Sequence, residues 1–189
     1  MPTLRDHLAT LRGRIQKGRY DGPPILVEGA RANEEILVRP PREVLGSLRQ
    51  TRPVDASLFR ARDRTEPVFA LVDIVAPTSR AFDIVKGPSG DPGDPLISIG
   101  RNRDNDIVIL DDTMSARHAS IEIQESSAIL RDAGSSNGTF VNQEPLGEGA
   151  QIPLDSGDCV RFGQRVFYYL SGGRIGLFLD AWSKASASA

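Results

Sequence analysis

Three short polar motifs lie close together in the second half of the chain: Gly100-Arg101, Ser115-x-x-His118, and Gly134-Ser-Ser136-Asn137-Gly138-Thr-Phe-Val-Asn142. They bring together one guanidinium, several hydroxyls, side-chain amides and turn glycines. The Arg101 guanidinium can make two-pronged, charge-assisted hydrogen bonds to phosphate oxygens. Ser115, just past the Asp111-Asp112 turn, can donate to another oxygen. Asn137 offers an acceptor and two donors, a set suited to gripping an extended peptide backbone. Gly138 permits a backbone conformation that a side chain would forbid. This assortment suits binding a phosphate carried on a peptide. It does not suit a reaction, because no base is placed to drive one.

The enzyme patterns that the chain superficially offers fail on inspection. Gly134 to Gly138 matches G-x-S-x-G, but that elbow needs a helix after the turn, and Thr139-Phe-Val141 reads as a strand. A hydrolase of that order also needs a histidine after the serine, and His7 and His118 both precede it. One cysteine and two distant histidines cannot supply a zinc cage. Gly87 to Pro95 has no Gly-Lys-Ser/Thr, so it is not a P-loop. No cofactor is expected, and any kinase must be a separate chain.

The loops need a rigid scaffold, and the chain from Pro67 onward supplies short apolar runs parted by turn residues. Val68–Ala76, Ala81–Val85, Leu96–Gly100, Asp106–Leu110, Ala119–Gln124, Ser127–Arg131, Thr139–Val141, Ala150–Pro153, Cys159–Phe162 and Arg165–Leu170 all read as strands. Several alternate, as in Ile97/Ile99, Ile107/Ile109 and Ile121/Ile123. Evenly spaced strands without intervening helices predict a mainly β fold, an antiparallel β-sandwich with function on its loops. Cys159 reads as a small apolar filler on a strand.

The flanks differ. Leu4, Leu8, Leu11 and Ile15 make one stripe, predicting a helix over Thr3 to Lys17 with a Thr3/Asp6 capping box and a stop at Gly18. This helix is expected to pack on its own domain or on a second copy. Ile25–Val27 and Ile36–Val38 read as short strands and Arg42–Arg49 as a short helix. Ile175, Phe178, Leu179 and Trp182 fall at i, i+3, i+4 and i+7, predicting a short amphipathic C-terminal helix. The expected division is a partly helical region 1–48, a basic linker 49–66, the sandwich 67–172 and a C-terminal segment and tail 173–189.

The motifs Ile99-Gly-Arg101, Ser115-x-x-His118-Ala119 and Gly134 to Asn142, in that order and spacing, resemble the forkhead-associated (FHA) domain, a phosphothreonine-peptide reader. The resemblance covers about residues 67–171. It implies a sandwich of about eleven strands, of the SMAD/FHA type, whose apical loops bind the peptide. By it, Arg101 and Ser115 hold the phosphate, Ser136 and Asn137 form the threonine-methyl recess and hold the peptide backbone, and Gly100, His118, Gly138 and Asn142 structure the loops. Two positions depart from the family. Ala116 stands where arginine or asparagine is common, which removes a potential ligand contact; Arg117 either points at the ligand and compensates or lies on a solvated face. Gln143 follows Asn142 where glycine is common, so that hairpin is expected to differ.

The 189-residue chain is 25% charged and 39% apolar, with a net charge of −2, ordinary for a soluble globular protein and against bulk nucleic-acid binding. Residues 1–66 carry 13 Lys+Arg against 9 Asp+Glu, net +4, and residues 67–189 carry 10 against 16, net −6. The two parts have different jobs or touch each other. A single cysteine excludes an intrachain disulfide and fits a reducing compartment; no signal peptide or membrane span is read, and a cytoplasmic location is expected. The partner is expected to be a phosphothreonine protein that is a substrate of, or identical to, a Ser/Thr kinase, with self-association through the N-terminal helix as a possibility. Thr51 and Thr65, among arginines, are candidate sites whose phosphorylation would create an internal or trans-dimer ligand. A phosphate-independent scaffold with the same fold is the alternative.

Overall fold

The computed structural model describes residues 3–16, 19–29, 67–88, 93–124, 127–147 and 149–186. The expected strand Ile36–Val38, helix Arg42–Arg49, linker 49–66 and both candidate threonines lie outside the described residues. In chain order the elements are α1 (Leu4–Gly13), β1 (Ile15–Gln16), β2 (Arg19–Tyr20), β3 (Ile25–Glu28), α2 (Pro67–Ala70) running into a 3₁₀ turn (Leu71–Asp73), β4 (Ala81–Asp83), β5 (Leu96–Gly100), β6 (Ile107–Val108), β7 (Ala119–Ile123), β8 (Ala128–Asp132), β9 (Thr139–Val141), β10 (Glu144–Leu146), β11 (Gln151–Leu154), β12 (Cys159–Phe162), β13 (Arg165–Leu170) and α3 (Gly173–Ser186).

Among the described residues, eleven strands form two sheets, ordered β10-β9-β12-β13-β3-β4 and β11-β8-β7-β5-β6, and β1 pairs with β2 apart from them. Pairing is antiparallel except between β5 and β6, which run parallel with Ile99 opposite Ile107. One apolar core lies between the sheets, built on Ile97, Ile99, Ile121, Leu130, Val160, Phe162 and Phe167. A second core lies on the outer face of the six-stranded sheet, under α1, α2 and α3. The period-2 alternation of strands serves both at once. On β13, Phe167 and Tyr169 enter the inner core, while Val166, Tyr168 and Leu170 enter the outer one. The molecule thus has three layers: helices, six strands, five strands.

Several expectations change. Val68–Ala76 is not a strand. Val68, Leu71, Val72 and Val75 are all buried at i, i+3, i+4 and i+7, which is a helical stripe, and α2 with its 3₁₀ turn presents it to the outer core. The first helix stops at Gly13, not Gly18, because β1 turns back to pair Ile15 with Tyr20. Leu4 and Leu11 are buried within the chain's own outer core, so a second copy could reach them only by opening it. The sandwich does not begin at residue 67. β3 pairs with β13 and β4, Tyr168 opposite Val27 and Leu26 opposite Phe82, so a strand from the N-terminal region is an interior member of the sheet. Its four residues are all buried, which favours an interior place over an edge. β10, not expected, completes a hairpin with β9. The C-terminal helix forms as expected, with Ile175, Phe178, Leu179 and Trp182 buried and the Trp182 indole donating to the Val75 carbonyl at 3.2 Å.

Candidate functional site

The motif residues come together on the loops leaving β5, preceding β7 and joining β8 to β9. Arg101 directly follows β5, and its backbone N–H donates to the Ser115 carbonyl at 2.9 Å, while Asn102 N–H donates to the Ala116 carbonyl at 3.2 Å. These bonds lay the Arg101 and Ser115 segments side by side. Gly100 is required by this approach, because a Cβ there would sit 2.3 Å from the Ala116 carbonyl oxygen. The Asn105 side chain, buried, seals the same junction by donating to the carbonyls of Asn102 at 2.9 Å and Ala116 at 2.7 Å.

The serine segment is pinned to the β8–β9 loop. Ser136 N–H donates to the Ser115 hydroxyl oxygen at 3.0 Å, which occupies a lone pair and leaves the hydroxyl hydrogen to donate outward. Asn137 Nδ2 donates to the Thr113 carbonyl at 2.9 Å, leaving the amide oxygen and a second N–H for another chain. Gly138 has φ +77°, a left-handed conformation natural to glycine. His118 is fully buried and spans both loops. Its Nδ1 accepts from Ser115 N–H at 3.1 Å, so the Nε2 that faces the Gly138 carbonyl at 3.2 Å carries the hydrogen. Burial lowers the His118 pKa, against the opposing pull of the Gly138 hydrogen bond and the Asp132 charge.

Asp132 organises the β8–β9 loop. Its carboxylate accepts from the N–H groups of Gly134 at 2.8 Å and Ser135 at 2.9 Å, and from the hydroxyls of Ser135 at 2.6 Å and Thr139 at 2.5 Å. Burial favours its protonated form, but these bonds outweigh burial and hold the carboxyl below its ordinary range. Asp106 is built alike behind β5. It accepts from Ser98 N–H and Gly87 N–H, each at 2.8 Å, and lies 3.4 Å from Lys86 Nζ; its carboxyl is again held low, these bonds overcoming burial.

Arg101, Ser136 and Asn137 are exposed and Ser115 is partly so. The Arg101 guanidinium meets only the fully exposed Asp112, at 3.6 Å, among the described residues. Such an exposed pair is weak and a stronger anion displaces it readily. Arg101, Leu110, Asp111 and Asp112 line a depression of about 430 Å³. Arg117 is exposed and makes no ion pair among the described residues. Asn142 is elsewhere. It follows β9 at the end away from these loops, buried, with Nδ2 donating to Asp158 at 2.9 Å and Oδ1 accepting from Cys159 N–H at 3.0 Å. It fixes the β9–β10 hairpin, and does not touch the apical loops. A larger groove of about 570 Å³, lined in part by Phe69, Val72, Leu177 and Ala181, belongs to the helical layer and holds none of the motif residues.

Asn105, Asp106, Thr113 and Asp132 went unread in the sequence. Asp132 had a legible signal, since Asp-x-Gly-Ser favours a side-chain-capped turn. For Asn105 the local bond to Asn102 marks only a turn, and its bond to Ala116 depends on the fold.

A family model described as the FHA domain matches residues 97–163. The glycogen accumulation regulator GarA of Mycobacterium tuberculosis is 32% identical over 120 residues, covering 61% of this chain and 72% of that protein. An oxoglutarate dehydrogenase inhibitor of Corynebacterium diphtheriae is 35% identical over 107 residues, covering 54% and 73%. A solved structure from a study of phosphothreonine-dependent FHA domain interactions is 28% identical, covers 49% of this chain and 84% of its own, and superposes with a TM-score of 0.41.

Proposed function

The chain belongs to the forkhead-associated family of phosphothreonine-recognition modules, and from that membership we propose which of its residues do the reading. Arg101 and Ser115 take the phosphate oxygens. Ser136 and Asn137 form the recess for the threonine methyl and hold the peptide backbone, and Arg117 extends the basic rim. The observation that carries this assignment is the pairing of the Arg101 and Ser115 segments at 2.9 Å, with a Ser115 hydroxyl that keeps its hydrogen to donate and a guanidinium whose ion pair among the described residues is with the solvent-exposed Asp112. The protein then acts as a non-catalytic adaptor in Ser/Thr kinase signalling. A kinase modifies a partner threonine, and the dianion satisfies Arg101 and Ser115. One relative is called a regulator and the other an inhibitor, which supports an output exerted on another protein's activity. No helix among the described residues is long and apolar enough to cross a membrane; the proposed cytoplasmic location rests on the single cysteine.

Calorimetry with a phosphothreonine peptide and its unphosphorylated twin tests the reading. Binding is expected only for the phosphorylated form, weakening as pH falls below the phosphate pKa of about 6. Arg101→Ala is expected to cost about 1.5–3 kcal/mol, the value of a charge-assisted hydrogen bond. Equal affinity for both peptides would leave the phosphate-independent scaffold as the better account.

A further inference from the structure

Glu28 lies on β3, remote in sequence from every motif residue, yet it anchors a chain of contacts that ends at the peptide clamp. Its carboxylate is nearly buried, with the side chain 9% exposed. It receives a two-pronged contact from Arg80, through Nε and Nη2 at 2.8 Å each, and a direct contact from the Arg165 guanidinium. Arg165 Nη1 also lies 3.7 Å from Asp111 Oδ2. The other oxygen of Asp111 accepts from Thr113 N–H at 2.9 Å and from Thr113 Oγ1 at 2.5 Å. The Thr113 carbonyl in turn accepts from Asn137 Nδ2 at 2.9 Å. Gln164, next to Arg165, adds a second tie through its N–H to Thr113 Oγ1 at 3.0 Å.

We propose that Glu28 is a positioning residue for phosphopeptide binding: through Arg165 and Asp111 it fixes Thr113, and through Thr113 the Asn137 side chain. This rests on the reading of Asn137 as the peptide clamp. Two guanidiniums share one carboxylate in a largely desolvated place, so the charge on Glu28 is what keeps them together. Without it Arg165 has Asp111 as its remaining carboxylate neighbour in the chain of contacts, and competes with Thr113 for the oxygens that set the loop. The β3 strand comes from the N-terminal region. Its seating in the sheet is therefore coupled to the state of the loops.

A charge change alone predicts the opposite sign. Removing a carboxylate makes the molecule more positive and favours a dianion. In Glu28→Gln the Asn137 side-chain amide resonances of the full-length, ligand-free protein are expected to shift toward those of a free amide. A phosphothreonine peptide selected on the wild type is expected to bind about three- to tenfold more weakly, the size of a transmitted coupling. In an Asn137→Ala background the Glu28→Gln effect should largely vanish. Arg165→Lys, which keeps the charge but loses the fork, should give the same signature and serves if Glu28→Gln does not fold. Unmoved Asn137 resonances, tighter binding, or an undiminished loss in the Asn137→Ala background would overturn the proposal. If no phosphothreonine peptide binds the wild type, the phosphate reading fails by itself, and the amide resonances still decide the relay.

Discussion

His118 ties the Ser115 and Gly138 loops with one ring, and only its neutral form can do so. Nδ1 must accept from Ser115 N–H while Nε2 donates to Gly138. A proton on Nδ1 would face another proton. Burial lowers the folded pKa below the ordinary 6.5, so the unfolded chain binds the proton more readily than the native one. The stability contributed is therefore intact above about pH 6.5 and is lost as pH falls toward the folded pKa. Denaturant midpoints of the ligand-free protein are expected to drop between pH 7 and pH 5, and His118→Gln should flatten that slope while lowering stability throughout. An unchanged slope would take His118 out of the pH response. Asp106 and Asp132, held below the ordinary carboxylate value, lose their contribution in a lower, separate window. The sequence showed that a histidine stood three residues after the motif serine; its tautomer became legible only with the Gly138 carbonyl beside it.

The hairpin between β9 and β10 shows an element whose sequence and geometry disagree. Asn142 and Gln143 both have positive φ, 51° and 70°, the pattern of a two-residue turn that favours asparagine followed by glycine. Asn142 fits, and its side chain also holds Asp158 and the Cys159 backbone. Gln143 carries a Cβ in a region that costs most residues about 1–2 kcal/mol. Gln143→Gly is expected to raise stability by about 0.5–1 kcal/mol, since added freedom of the unfolded chain offsets part of the relief. Phosphopeptide affinity should not change, because the turn lies at the far end of β9. Thermal unfolding and calorimetry on the same sample check both. The departure at Gln143 was visible in the sequence, as was the alternation of β5 and β7. The run from Val68 to Ala76, apolar except at Asp73, satisfies both periods, and the surface it would cover decided for the helix.

At the scale of the molecule, the six-stranded sheet is covered on both faces at its β12, β13 and β3 strands. β3, α1 and α3 complete it from outside residues 67–172. A fragment spanning residues 67–172 lacks β3, α1 and α3. It would expose Val166, Tyr168 and Leu170 and leave β13 without one neighbour. This fragment is expected to show no dispersed amide spectrum and to aggregate, whereas the full chain folds. Within the full chain, Trp182→Ala is expected to cost about 3–5 kcal/mol by emptying a buried site. A well-dispersed spectrum from the fragment would show that the helical layer is an accessory.

What the sequence determined by itself was local. Strand alternation, turn residues and the identities of Arg101, Ser115, His118 and Asn137 are properties of short segments, and short segments carry them in full. What the tertiary structure decided was which segments meet. The seating of β3 between β13 and β4 and the line from Glu28 to Asn137 join residues far apart in the chain. Such contacts form because two separate apolar faces must be covered and buried charges must find partners. No spacing along one stretch of sequence encodes that.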